Sequence, residues 1–297
     1  VDTEPQDLRP PLAVMRPSST PEIPAQDALP GGAQFSIKLD GFRALAFPGA
    51  DRTVLQSRSG RDLAPDFRAL AASLGSVLEE GVVLDGEICA WSAGRFDFTA
   101  LLRSPAARAT AGVVVGYVAF DVLAVPGRDV RQLPLRERWS LLTALLADTA
   151  PAVRPVLATT DRELALQWFT DLAPLGIEGI VSRALASRYL PSDHTSWRKT
   201  RHFDPVDGRL VAVHGPPRRP HGVVAELADN TRLTTTVRLD TVAAAQVGAA
   251  VAGRLTPAGH TADGRTVHQV SDGPVAEFHV VSGRHGSIRF VRLRRGD

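Results

Sequence analysis

A chain of 297 residues, 44% of them hydrophobic, is long enough to bury two cores, and a net charge of +2 with a pI of about 9.1 tolerates a polyanionic partner without demanding one. Cys89 is the only cysteine, which excludes an intrachain disulfide and a multi-cysteine zinc site. No apolar run is long enough to span a bilayer, so the sequence predicts a soluble, cytoplasmic protein with no membrane partner.

The segment Val1 to Pro30 is rich in Pro and polar residues and lacks a basic-then-apolar signal pattern. Phe35 to Lys38 and Phe42 to Phe47 read as short strands joined through Asp40-Gly41, and Thr53 to Arg58 as a third. Within Ala64 to Leu78, Phe67, Leu70, Leu74 and Leu78 recur at helical spacing; Val82 to Trp91 and Val113 to Leu123 follow as apolar strands. Pro134 suits the first position of a helix reaching about Asp148, with Leu141, Leu142, Leu145 and Leu146 as its buried stripe. A second helix follows Thr160, which has capping-box spacing to Glu163. Gly179 to Arg183 and Ser196 to Phe203 are further short strands. Helices and strands mix without strict βαβ alternation, which predicts an α+β fold with antiparallel sheet.

Near Asp204-Pro205 the pattern changes to short β segments, Val206 to Val213, Gly222 to Leu227 and Leu233 to Val237, with turn-rich stretches such as Gly215 to Gly222 between them. A lone helix, Thr241 to Val251, a long polar loop, Pro257 to Gly273, and late strands at Val275 to Val281 and Ile288 to Leu293 complete the chain. The composition predicts two domains, residues 1–203 and 204–297, the second a small Greek-key barrel of the oligonucleotide-binding type.

Of the 34 basic residues, all are arginine except Lys38 and Lys199. An amine can lose a proton and attack an electrophile, whereas a guanidinium stays protonated, so a lysine kept in an arginine-rich chain is either a chance survivor on the surface or chemically required. Lys38-Leu39-Asp40-Gly41-Phe42-Arg43 places an amine and a carboxylate two residues apart, on one face of an extended strand, and Arg43 offers positive charge that depresses the pKa of a nearby amine. A solvated lysine on a surface hairpin has the same local pattern. The eight histidines show no pair at helical ligand spacing, which argues against a zinc site or a histidine triad.

This run resembles the KxDGxR signature of the covalent nucleotidyltransferase superfamily, which includes ATP-dependent DNA ligases, RNA ligases and capping enzymes. Further signatures follow in that superfamily's order: Ser57-Arg58-Ser59-Gly60, Asp85-Gly86-Glu87, Phe120-Asp121, Glu178-Gly179-Ile180-Val181-Ser182-Arg183 and Trp197-Arg198-Lys199-Thr200-Arg201. The set is most similar to small bacterial ATP-dependent repair ligases. The resemblance implies an antiparallel-sheet adenylation domain followed by the barrel, with ATP and Mg²⁺ (or Mn²⁺) as cofactors. Lys38 would be the nucleophile, with Asp40, Arg43, Glu87, Phe120, Lys199, Arg201 and Arg292 contacting the nucleotide. Glu178 and Glu87 would serve the metal, and Arg58 and Arg43 the nicked strand. Phe120 would stack on adenine, Lys199 would meet the α-phosphate, and Arg201 stands where relatives commonly have a second lysine. Ser36 stands where many relatives carry a glutamate. Nicked duplex DNA is the implied partner of a monomeric enzyme, with DNA end-binding or repair proteins as recruiters. The single cysteine cannot form the four-cysteine module of NAD-dependent relatives, and Tyr117 and Tyr189, the only tyrosines, both follow Lys38. An RNA ligase, a capping-type enzyme or a non-catalytic nucleic-acid-binding scaffold are the alternatives.

Overall fold

The computed structural model describes residues 8–149, 151–202, 204–235, 238–260, 264, 266–281 and 287–294. The chain divides into two compact units, residues 1–202 and 203–297. Expectations for residues 1–7, Phe203, Val237 and part of the stretch 261–265 lie outside the described residues.

The first unit runs β1 (Ser18–Ser19), β2 (Ala33–Lys38), β3 (Phe42–Phe47), β4 (Val54–Ser57), α1 (Arg68–Val77), β5 (Val83–Ser92), β6 (Arg95–Phe96), α2 (Phe98–Leu101), α3 (Pro105–Thr110), β7 (Val114–Val125) and β8 (Arg128–Asp129). It continues through α4 (Leu135–Leu145), β9 (Val153–Pro155), β10 (Ala158–Thr159), α5 (Arg162–Asp171), a 3₁₀ turn at Ala173–Leu175, β11 (Gly179–Ala184) and β12 (Trp197–Arg201). One sheet has the order β1-β12-β11-β2-β10; the other has β4-β3-β5-β7-β8, with β6 on β5 and β9 on β7. Pairing is antiparallel except for β1 with β12 and β9 with β7. The larger core packs α1 and α4 on the second sheet through Leu70, Leu74, Leu84, Tyr117 and Leu142.

The expected mixed, largely antiparallel architecture is present in this unit, with local corrections. The helix expected from Thr160 is capped instead by Asp161, whose carboxylate accepts from the amides of Glu163 and Leu164. Pro134 is the residue before α4 rather than its first turn, and Leu145 ends the helix. Leu142 and Leu146 are buried, whereas Leu141 and Leu145 are half-buried. The proline-rich lead is part of the fold: Val14, Met15, Ile23 and Leu29 are buried, and Ser18 and Ser19 pair with Arg198 and Lys199. Helices α2 and α3 carry no long apolar period; their signals are the caps Asp97 and Ser104-Pro105.

The second unit comprises β13 (Asp204–His214), β14 (Gly222–Leu227), β15 (Arg232–Thr234), α6 (Thr241–Ala250), β16 (Leu255–His260), β17 (Thr266–Val270), β18 (Val275–Val281) and β19 (Ser287–Leu293). Its strands are antiparallel in the order β15-β14-β13-β17-β16, and β18 joins β13 to β19. A parallel bridge from Thr235 to Ile288 brings the β15 end to β19, so β13, β14, β15, β19 and β18 form a ring around Leu210, Val213, Val223, Phe278 and Ile288. The long loop expected over Pro257 to Gly273 is corrected by the β16–β17 hairpin. Its first strand is almost entirely exposed, so it lacks the apolar alternation that marks a half-buried strand.

Candidate active site

In the first sheet, antiparallel register sets Lys38, Gly179 and Arg201 in one cross-strand row and Ser36, Val181 and Lys199 in the row two residues along. Alternation places both rows on the same face. Lys38 is the last residue of β2, and Leu39 and Asp40 lie in the corner leading to β3. The expectation that Lys38 and Asp40 share a strand face is thereby corrected, because the extended run stops between them. The corner passes so close to β5 that a Cβ on Gly41 would stand 2.2 Å from the Ile88 carbonyl oxygen and 2.8 Å from Glu87 Cγ. Only glycine lets Lys38 be delivered beside Glu87.

Lys38 Nζ donates to Glu178 Oε2 and, at 3.2 Å, to the Leu39 carbonyl. Both charged side chains are largely enclosed, with relative exposures of 15% and 12%. Arg201 Nε is 3.7 Å from the same Glu178 oxygen. Lys199 feels Arg201, Lys38 and Glu178; burial first, and then the neighbouring cations, hold its amine below the ordinary lysine value. Lys38 is thus paired with a carboxylate whose field also reaches Lys199, one row along the same sheet face. Arg58 belongs to the exposed turn after β4 and is near enough to contribute to the field at Lys199.

On the second sheet Arg43 pairs across to Glu87 and Glu87 to Val118. Burial pushes the Glu87 carboxyl up to about 7, with Lys38 and then Arg43 pulling the other way. Arg43 is committed to the scaffold: Nε and Nη2 donate to Asp85 at 3.0 and 2.6 Å, and Nη1 to the Met15 carbonyl at 2.5 Å. Tyr189 donates to the same carboxylate at 2.6 Å. Asp85 therefore neutralises the cation that the sequence offered to Lys38.

Between the sheets lies a cleft of about 120 Å³, lined by Ser36, Lys38, Glu87, Phe120, Arg183 and Trp197 together with Ile37, Leu39, Val156 and Val181. Its lining has the make-up of a small-molecule site, apolar walls with a few placed polar groups. Phe120 meets Trp197 edge-on with ring centroids 6.0 Å apart, and the Arg43 guanidinium is 5.3 Å from the Phe120 centroid. Ser36 donates only a long bond, 3.4 Å, to the Val181 carbonyl. Pro17, Arg183 and Trp197 are cleft residues to which the sequence assigned no role. Arg183 donates to the Phe120 carbonyl and, at 2.7 Å, to Gln34 Oε1; burial pulls its guanidinium down to about 10. Nothing in the local sequence marks it beyond its place at the end of the Glu178–Arg183 run.

Among the described residues no group of three or more His, Cys, Asp or Glu is arranged to hold a metal. Mg²⁺ usually takes only one or two protein carboxylates, with water and phosphate completing its shell, so Glu178 beside the phosphate-seeking cations has suitable chemistry. Arg292, in the second unit, donates from Nε to Glu277 at 2.7 Å and is 64% exposed. No helix among the described residues is long and apolar enough to cross a membrane.

Solved structures share this architecture. A mycobacterial DNA ligase D complexed with ATP and MES matches over 96% of each chain at 23% identity with a TM-score of 0.53. A Lig E DNA ligase described as a minimal DNA-binding scaffold matches 95% of this chain and 99% of its own at 16% identity, with a TM-score of 0.58. The fold is therefore shared with these DNA ligase structures. The family model of the ATP-dependent DNA ligase domain matches residues 16–201, and the chain belongs to that family. DNA ligase C2 of Mycolicibacterium smegmatis is 32% identical over 202 residues, and DNA ligase C of Mycobacterium tuberculosis 30% over 210. Each alignment covers 66% of this chain and 57% of the relative, so the chain spans a little over half the length of those proteins.

Proposed function

We propose that this chain is an ATP-dependent DNA ligase that seals nicks through a lysyl-AMP intermediate on Lys38. The observation that carries the reading is the pairing of Lys38 and Arg201 with Glu178, with Lys199 on the same sheet face one row along, beside a cleft walled by Phe120, Trp197 and Glu87. Attack on an α-phosphate builds negative charge, and fixed cations in a partly desolvated site stabilise it. Lys38 Nζ, once deprotonated, forms a P–N bond to the α-phosphorus and pyrophosphate leaves. The AMP then passes to the 5′-phosphate of the nick, freeing Lys38, and the 3′-hydroxyl displaces AMP to close the backbone.

Within this reading Lys199 and Arg201 neutralise the phosphates, Phe120 stacks on adenine and Glu87 hydrogen-bonds the ribose. Glu178, with Glu87, would hold Mg²⁺ or Mn²⁺, which supplies further charge neutralisation. Arg58 takes the 5′-phosphate of the nick, while Arg43 and Asp40 shape the floor under Lys38. A role for Arg292 in orienting pyrophosphate requires its pair with Glu277 to open. Residues 1–203 form the adenylation domain and 204–297 an oligonucleotide-binding barrel, a reading supported by the ring closed through Thr235 and Ile288. The same proposal places a monomeric enzyme in the cytoplasm, where the buried, unpaired Cys89 stays reduced, acting with DNA repair proteins. Sealing of a labelled nicked duplex tests it: joined product with ATP and Mg²⁺, and none with NAD or GTP, is expected. Product only with an RNA nick would overturn the DNA assignment.

A further inference from the structure

The described arginines of the second unit differ in what holds them: Arg209 and Arg254 donate to the backbone carbonyls of Gly273 and Asp272, Arg289 is exposed, and three others are held by carboxylates. Arg232 is paired with Glu226 at 2.7 Å, Arg292 with Glu277 at 2.7 Å and Arg294 with Asp207 at 2.9 Å. Arg218, Arg219 and Arg238 are exposed, and among the described residues no carboxylate forms an ion pair with any of them. Asp240, the acidic residue nearest Arg238 in sequence, is engaged by the amides of Val242 and Ala243 as the cap of α6, and Glu226, the one nearest Arg218 and Arg219, is held by Arg232.

These three arginines sit on connected backbone. The β13–β14 loop, Gly215-Pro216-Pro217-Arg218-Arg219-Pro220-His221, has three prolines that fix φ. Its turn is closed by Arg219 N–H donating to the Pro216 carbonyl at 3.0 Å. Gly215 N–H donates to Thr266 O at 2.8 Å, His221 N–H to His214 O at 2.7 Å, and Leu239 N–H to His221 O at 2.9 Å. The last bond ties the residue after Arg238 to the loop. On its other side the loop lies directly on α6: a Cβ on Gly248 would stand 2.1 Å from the Arg218 carbonyl oxygen. The backbone is thus ordered by folding, and only side-chain freedom remains to be lost on binding.

We propose that the 215–221 loop, with Arg238, is a preformed contact for the phosphate backbone of duplex DNA, and that it, rather than the ion-paired Arg292 and Arg294, supplies the second unit's main electrostatic grip. Guanidiniums without a carboxylate partner meet phosphate with no competing ion pair to break. The exposed residues beside Arg218 and Arg219 are Pro216 and Pro217, rigid and without hydrogen-bond donors, so the cations alone select the partner, which suits the repeating charge of a phosphate backbone. The inference rests on the ligase reading for the identity of its partner.

The test uses the full chain and a nicked duplex with a 5′-phosphate and a dideoxy 3′ end, without nucleotide, and reads affinity by fluorescence anisotropy across a salt series. Each lost phosphate contact lowers the slope of log K against log salt by roughly 0.9, so Arg218→Ala/Arg219→Ala should reduce it by about 2. Arg238→Ala should reduce it by about 1, and Arg232→Ala, removing a paired cation, should leave it unchanged. Circular-dichroism melting confirms that the variants are folded. An unchanged slope in the double variant, with wild-type protein that binds the nick and is labelled by ATP, overturns this inference alone. Unchanged DNA binding with lost binding of polyglutamate overturns it in favour of an acidic protein partner. Wild-type protein that neither binds the nick nor takes AMP from ATP overturns it together with the ligase reading.

Discussion

Lys38 donates to Glu178 in this structure, and its amine must give up a proton before it can attack phosphorus. Glu87 offers a test of the electrostatics that needs no substrate. Its native carboxyl titrates at about 7, against 4.5 when unperturbed. Below the unfolded value both states are protonated and nothing is lost; as pH rises through 4.5 to 7, the unfolded chain ionises first and stability falls by about 3 kcal/mol at ~1.4 kcal/mol per unit. Glu87→Gln removes that dependence, so its stability advantage over wild type should grow from near zero below pH 5 to a plateau above pH 7 in urea titrations. A difference that does not change with pH would contradict the assignment. At this scale Lys38, Glu178 and Lys199 were legible because amine, carboxylate and spacing are all written in the chain. Arg183 and Trp197 were not, because their place in the cleft depends on which strands pair. The pairing of Arg43 with Asp85 was not legible for a related reason: the two are adjacent in space but distant in sequence.

Strand pairing delivers the site, and two contacts show how little slack it has. A Cβ on Gly179 would stand 2.0 Å from the Thr200 carbonyl oxygen and 2.8 Å from the Arg201 Cα. Gly179→Ala should therefore push β11 from β12, separate Glu178 from Lys199 and Arg201, and reduce enzyme-adenylate formation by at least tenfold while secondary structure persists; wild-type labelling would refute the row geometry. Behind the cleft, Arg138 and Asp121 form a fully buried pair with two bonds of 2.8 and 3.0 Å. Removing one partner strands the other charge, so Arg138→Met should cost about 3–5 kcal/mol. All four tryptophans lie in residues 1–202, so urea unfolding followed by their fluorescence reads this unit directly. Long elements with a clear period, α1, α4, β5 and β7, were evident in the sequence. The two-residue β1, the short α2 and α3 and the exposed β16–β17 hairpin were not, since each is too short or too polar to display a period and is fixed by capping or by pairing.

At the level of the whole molecule, the sequence conveyed two compact units and an ordered series of motifs, and family membership follows from the match over residues 16–201. What it did not convey was the distribution of usable charge: 32 acidic residues nearly balance 34 basic ones, and only the fold shows which arginines are already paired. The central claim is covalent chemistry at Lys38, and the most direct measurement is incubation of the full chain with Mg²⁺ and ATP labelled at the α-phosphate, with GTP and NAD in parallel, followed by denaturing electrophoresis. The account predicts protein-bound label from ATP alone, absent in Lys38→Arg, which keeps the charge but replaces the amine with a guanidinium that stays protonated. Folded wild-type protein, free of pre-bound AMP, that acquires no label, or label that persists in Lys38→Arg, would contradict it.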